Sequence, residues 1–183
     1  VEEERQLEEF DGVETYGVNV ELLQGKSWEV IIDGDANLLS HVHTVVEDGI
    51  LRIDTDAELF PTELTVSVEV PQLRWVGGFD GADIRAVDID SPSLSVESSG
   101  SGHIELIGDV DVLTILSSGS GVHNAAELTA AEISVTSTGS GVSWLTATDT
   151  IEGEISSAVT LNVFGDPVRK AVVAHDTSEV IYY

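Results

Sequence analysis

Cysteine is absent from this chain of 183 residues, lysine and arginine together number only 7, proline occurs 4 times and aromatic residues make up 5%. Without cysteine no disulfide braces the fold, and thiols say nothing about redox compartment. The shortage of cations argues against nucleic acid and against anionic membrane surfaces as partners, because binding phosphates relies on Lys and Arg to displace counterions. No run approaches the roughly 20 apolar residues of a membrane span, and no basic stretch followed by an apolar one opens the chain as a signal peptide would. The chain begins at Val1 instead of Met, so the expectation is that a leader, a lipid-anchored Cys or some other trimmed segment precedes it.

What is present is Val, Ile, Leu, Ser and Thr, with 17 glycines. That mixture favours strands and turns over helices, so the expected class is all-β. The length suits one domain with a single core. Against 7 cations stand 34 Asp and Glu, a formal charge of −27. One reading is a solvated acidic coat that keeps the protein soluble, tuned to high salt. The other is that some carboxylates hold Ca²⁺ or another hard cation, since such ions take oxygen ligands.

Residues 1–9 hold Glu2, Glu3, Glu4, Glu8 and Glu9 and read as a solvated, disordered arm. From 10 to 70 apolar residues alternate, the mark of half-buried strands. Val18, Val20 and Leu22 followed by Trp28, Val30 and Ile32, with Gln24-Gly25-Lys26 between them, read as a hairpin. A second hairpin is expected about the Asp48-Gly49 turn, from His41–Glu47 to Ile50–Asp54. Asp33, Asp35 and Asn37 match the opening of an EF-hand loop and are the metal candidates. The glycine position of that loop is Leu38, however, and its twelfth position is Thr44 where a Glu is needed. The alternative is that Asp33-Gly34 turns and Asp35 caps a short helical turn ending near Ser40. His41 and His43 share one face of a strand, with no third ligand nearby in sequence.

Residues 71–183 are organised by a motif present three times: Leu94 to Gly102, Leu113 to Gly121 and Ile133 to Gly141, each closing on Gly-Ser-Gly. The copies start 19 and 20 residues apart. Pro71-Gln72-Leu73 and Gly81 form a degenerate copy 21 residues ahead of the first, and Ile155–Leu161 a shortened one after the last. Arg169–Ala174 and Glu179–Tyr183 close the end. A period near 20 with short apolar strands and small-residue corners describes a β-solenoid, in which each copy buries its face on the next. Leu94, Leu113 and Ile133 then make one inward column, and Val96, Ile115 and Val135 a second. Gly100, Gly102, Gly119, Gly121, Gly139 and Gly141 turn the corners, and Ser99, Ser118 and Thr138 align beside them as a hydroxyl ladder.

The Gly-Ser-Gly corners make a poor phosphate cradle, because strand residues follow them with no Lys or Arg nearby. They also make poor nucleophiles, because no His or acid recurs at a fixed offset from the serines. No catalytic residues are therefore assigned. A reading from another class is a polysaccharide lyase or hydrolase on the same solenoid, using acidic residues, Ca²⁺ and an Arg base, with Arg74 and Arg85 near Asp80 and Asp83 as its closest constellation.

The order and spacing of Phe10-Asp-Gly-Val13, Gln24-Gly25, Gly34–Leu39, Asp48–Leu51, Pro71-Gln-Leu73, the Ser-Gly-Ser-Gly copies and Gly165-Asp-Pro167 resemble the bacterial head GIN domain family of auto-transporter adhesins. The resemblance runs from about Leu7 to the C-terminus. It implies a right-handed parallel β-helix, with the N-terminal hairpin-like strands packed at one end. It also implies export to the periplasm or cell surface, often as a lipoprotein, and no established catalytic residues. A cell-envelope protein or glycan is the partner that follows, and homo-oligomers are compatible with exposed solenoid ends. No cofactor is expected beyond the calcium considered above. The heavy acidity and depleted lysine depart from the family.

If self-repulsion dominates the charge balance, the melting temperature should rise by several degrees as NaCl is raised into the molar range. Thermal melts across a salt series check this, and a flat response would remove electrostatic self-repulsion from the account.

Overall fold

The computed structural model describes residues 1–56 and 64–183. Its first part carries eight short strands and one 3₁₀ turn. The strands are β1 (Glu2–Glu4), β2 (Gly12–Tyr16), β3 (Val20–Gln24), β4 (Glu29–Asp33), β5 (Val42–Glu47), β6 (Ile50–Thr55), β7 (Thr65–Val70) and β8 (Trp75–Phe79), and the turn is Leu39–His41. Four long strands follow: β9 (Ile84–Gly100), β10 (His103–Gly119), β11 (Val122–Gly139) and β12 (Val142–Ser157). The chain closes with β13 (Thr160–Phe164), β14 (Arg169–Ala174) and β15 (Glu179–Tyr182), and all fifteen strands join one sheet.

The long strands pair parallel, β9 to β10 to β11 to β12, and register shifts break each pairing partway along its length. Each strand thus wraps around the solenoid. Its first residues lie on one flank, with β3, β13 and β15, and its last residues on a second flank, with β2, β8 and β14. This is the expected parallel β-helix. The inward columns form as the alternation requires: Leu94, Leu113, Ile133 and Ile151 stack in register, as do Val96, Ile115 and Val135, and all are buried.

The degenerate copy is real, but its register against β9 is 20 residues, Trp75 to Ser95, instead of 21. Asp80 and Gly81, at φ 56° and 82°, make its corner. In the shortened copy Ser157 takes the corner position opposite Gly139, at φ 75°.

The N-terminal region differs from expectation in two ways. β3 and β4 do not form a hairpin. β7 lies between them, parallel to β3 and antiparallel to β4. Leu64, Val66, Val68 and Val70 alternate as well as Val30 and Ile32 do and are equally buried, so the strand with the right face inserts. The turn at Gly25 is tied to β7 through the Glu69 carboxylate, which accepts from the Lys26 and Ser27 amides and from Ser27 Oγ. These bonds, the Lys26 amide first, hold the Glu69 carboxyl below the usual carboxylate range.

Residues 1–9 are likewise more than a solvated arm. β1 pairs antiparallel with β4, the Arg5 amide donates to Val30 O, Arg5 Nη2 donates to Leu39 O, and Leu7 packs against the core. Main-chain pairing to an open edge needs no apolar side chains, so an acidic segment can join a sheet that its composition does not announce. The hairpin about Asp48-Gly49 forms as read, β5 against β6, with both turn residues at positive φ.

β2 and β3 are inserted between later segments: β2 lies between β6 and β8, and β3 between β7 and β9. The antiparallel strands β5, β4 and β1 then cover that end of the solenoid.

One inward column changes chemistry midway. Ile84 and Ile104 are followed in register by His123, Ser143 and Leu161. The buried His123 ring is satisfied by Ser98 Oγ, 2.6 Å from Nε2, and by Ser143 Oγ, 3.3 Å from Nδ1. Burial, with a smaller contribution from His103, pushes its pKa down to about 4. Beside it the buried Ser117 Oγ donates to Ser137 Oγ at 2.6 Å.

Two consequences are measurable. Gly119 has φ 114°, and a Cβ there would lie within 3.0 Å of Gly100 main-chain atoms. Gly119→Ala should therefore cost about 2 kcal/mol or more, and Ser120→Ala, at an exposed neighbour, less than about 0.5 kcal/mol, in urea unfolding. For His123, the unfolded imidazole binds a proton near its ordinary 6.5 while the folded one waits until about 4. Its contribution is fully present above the unfolded value and is lost as pH falls through that window, reaching roughly 3 kcal/mol at the acid end. His123→Gln should flatten the urea midpoint between those pH values relative to the parent. An unchanged slope would mean that another group controls it.

Candidate functional site

Continuing the alternation of the inward columns, the intervening residues of the second flank point outward. Ser95, Thr114 and Ser134 align across β9, β10 and β11, and so do Glu97, Leu116 and Thr136. Beside the corner, Ser99, Ser118 and Thr138 are also in register. Rungs repeat at roughly 4.8 Å, and alternate residues along a strand at roughly 7 Å, so the face is a regular lattice of hydroxyls on rigid main chain. Val112 and Leu116 are exposed within it. An array of this kind can present many weak hydrogen-bonding and apolar contacts at fixed spacing.

The corner glycines divide their work. Gly100, Gly119 and Gly139 have φ of 96°, 114° and 113°. Gly102, Gly121 and Gly141 have no such angle, but a Cβ on any of them would press on the main chain one rung away. Ser98, Ser117 and Ser137, which precede the corner serines, form a second row that the sequence reading missed. The signal was there: in a Ser-Ser pair within an alternating strand, one residue must face the core. His123 is 4% exposed and has a serine hydroxyl on each ring nitrogen, Ser98 on Nε2 and Ser143 on Nδ1. These contacts are part of the packing.

The other candidates are dispersed. Asp33 lies 3.6 Å from the amino terminus, and the main chain turns between Asp35 and Leu38. The following 3₁₀ turn is capped by Leu38 without a side-chain bond, and not by Asp35 as the sequence suggested. Asp35 and Asn37 are exposed on that turn. Among the described residues, no group of three or more His, Cys, Asp or Glu is placed to hold a metal ion. His41 and His43 converge on Asp56, at 2.8 Å and 3.4 Å. The hydrogen bond from His41 holds the Asp56 carboxyl below its ordinary value. Arg85 is engaged by Glu105 at 2.8 Å and Glu21 at 3.9 Å, and Arg74 by Asp11 at 3.4 Å, so neither guanidinium faces Asp80 or Asp83 as an unpaired base.

No helix among the described residues is long and apolar enough to cross a membrane. A comparison with curated proteins gives no match. Among solved structures the chain is similar over its whole length to a putative adhesin from Bacteroides fragilis, with a TM-score of 0.80 at 16% identity and 96% of that chain covered. A putative lipid binding protein from Parabacteroides distasonis gives 0.59 at 18% identity, again over the whole chain and 96% of the other. A putative adhesin from Parabacteroides merdae gives 0.56 at 17%, over the whole chain and 95% of the other. At these identities the likeness shows a shared fold. The family profile described as "Putative auto-transporter adhesin, head GIN domain" matches residues 9–167, most of the chain, and the protein belongs to that family.

Proposed function

We propose that the protein is a non-catalytic, exported module of the cell envelope. Its outward lattice of Ser, Thr and apolar side chains on β9, β10 and β11 makes the adhesive contact, with an envelope protein or glycan as partner. The observation that carries this reading is the register of that face: Ser95, Thr114 and Ser134, flanked by Leu116 and Thr136, repeat at the spacing of the rungs. Membership of an adhesin family and the adhesin descriptions of its structural relatives support it. Periplasm or cell surface is the matching location, and attachment through a lipid is what the family resemblance implies.

The polysaccharide-cleaving reading gains no support from the arginines, which are spent on surface ion pairs. Nor does it gain any from the metal candidates, since Asp33 ends β4 beside the amino terminus and Asp35 and Asn37 lie exposed on the turn after it.

Leu116 and Val45 are both 48% exposed, the first on the lattice and the second on β5 at the capped end. Leu116→Asp should lower retention of bacterial cells on protein-coated surfaces by about tenfold, and Val45→Asp, with the same change of charge, by less than about twofold. Equal losses would mean that charge alone sets adhesion, and no loss in either would remove the lattice from the contact. An assay of acidic glycans for calcium-dependent shortening addresses catalysis separately, since activity there would overturn the non-catalytic reading.

A further inference from the structure

Three of the short motifs on which the family resemblance rests, Phe10-Asp-Gly-Val13, Asp48–Leu51 and Pro71-Gln-Leu73, lie outside the hydroxyl lattice. Far apart in sequence, they meet beside Trp28 around a recess of about 510 Å³. That volume suits a small ligand.

Main-chain bonds fix the junction. The Asp11 and Gly12 amides donate to Gly49 O at 2.9 Å and 3.2 Å, and the Arg74 amide donates to Asp11 O at 2.7 Å. Asp48 and Gly49 hold the tip of their turn at φ 52° and 81°. The recess is walled by the buried Phe10, by Pro71 and by Trp28. Trp28 is 44% exposed even though its Nε1 donates to Phe10 O at 2.8 Å. The single polar group of the indole is therefore satisfied, and the ring is held in place while much of its surface stays open.

The rest of the lining is acidic. Glu9, Asp11 and Asp48 contribute three carboxylates, and no Lys or Arg lines the recess. Arg74 lies 3.4 Å from Asp11, whereas Glu9 and Asp48 have no ion-pair partner among the described residues. An indole beside such carboxylates attracts cations through the ring quadrupole as well as through charge. The kind of cation follows from the acceptors. The main-chain oxygens of Phe10, Gly49 and Asp11 already accept the bonds described, and Glu9 and Asp48 are exposed and act from the rim. A primary ammonium moving in against Phe10, Trp28 and Pro71 would give up water without regaining a partner for every N–H. A quaternary ammonium has no N–H to satisfy, and it spreads its charge over methyl groups that pack on an indole.

We propose that this recess binds a free quaternary ammonium cation of the choline type, with its methyl groups against Trp28 and its charge facing Glu9, Asp11 and Asp48. The site shares no residue with the hydroxyl rows, so it goes beyond the adhesive contact and does not depend on it.

Proton NMR titration with choline chloride, at constant ionic strength, tests the proposal. The expected result is saturable binding in which the choline methyl resonance moves upfield, because the indole ring current shields protons over its face. Trp28→Leu should remove the upfield shift and weaken binding by about tenfold. Asp48→Asn keeps a residue that tolerates the left-handed turn and removes one charge, and should weaken binding by about threefold. The uncharged analogue of choline, with carbon in place of nitrogen, should bind at least about tenfold more weakly than choline. Phosphocholine separates a free cation from a lipid headgroup: it should bind more weakly than choline, because its phosphate would lie among the carboxylates. Circular dichroism establishes that each variant is folded, and Asp48→Asn and the uncharged analogue decide the matter if Trp28→Leu does not fold. Absence of saturation, equal binding of the uncharged analogue, tighter binding of phosphocholine, or a folded variant with the affinity of the parent would each overturn the proposal.

Discussion

Every rung of this protein depends on the close approach of main chain to main chain at the Gly-Ser-Gly corners. Gly139 lies over Gly119 and Gly119 over Gly100, near enough that a Cβ on the upper residue would press on the carbonyl below. The first glycine of each corner supplies a positive φ and the second supplies room. With corners stacked, the strands between them must repeat at almost constant length. Inward residues then fall into columns and outward residues into rows. Register, core and surface lattice follow from one steric condition. Where a corner lacks glycine, as at Ser157, the left-handed conformation is kept at a cost, and the chain is held there by the Asp176 carboxylate and by backbone bonds to Thr177.

The interior is more varied than the columns suggest. His123, Ser143, Ser98, Ser117 and Ser137 place imidazole and hydroxyl groups in positions that aliphatic residues hold in neighbouring rungs. Each finds a partner one or two rungs away, which a solenoid makes easy because equivalent positions are always adjacent. Such bonds add little net stability when made and cost much when one member is lost. They fix the stacking of particular rungs in a way that interchangeable leucines and isoleucines do not.

Charge acts on a larger scale. Most of the described acidic residues point outward, and the described cations are largely occupied locally, Arg85 with Glu105 and Arg169 with Glu152. Pairs this exposed contribute little to stability. Their importance is that they leave few cations for binding anions and few neutral surfaces for contact. The hydroxyl rows of the second flank thin this acidity, although Glu97 stands in one row and Glu152 and Glu154 on the rung that follows, and the proposed adhesive contact uses those rows.

Much of this was legible in the residues. The near-constant spacing of Leu94, Leu113 and Ile133 gave the solenoid and its columns, the alternation gave inward and outward faces, and Asp48-Gly49 gave the β5 to β6 hairpin with its turn. The order of short motifs gave the family. Alternation reports which side of a strand is buried and is silent about the strand beside it. That is why β7 could separate β3 from β4, and why β2 could come to lie between β6 and β8. Pairing through the main chain leaves no side-chain record, so Glu2–Glu4 could join the sheet against their composition. The meeting of His41 and His43 with Asp56, and the burial of His123 between two serines, were decided only by tertiary structure, because they depend on which rungs become neighbours. The Gly-Ser-Gly repeat by itself required a stack. The order of strands within the stack came from the competition among alternating segments for the same buried positions.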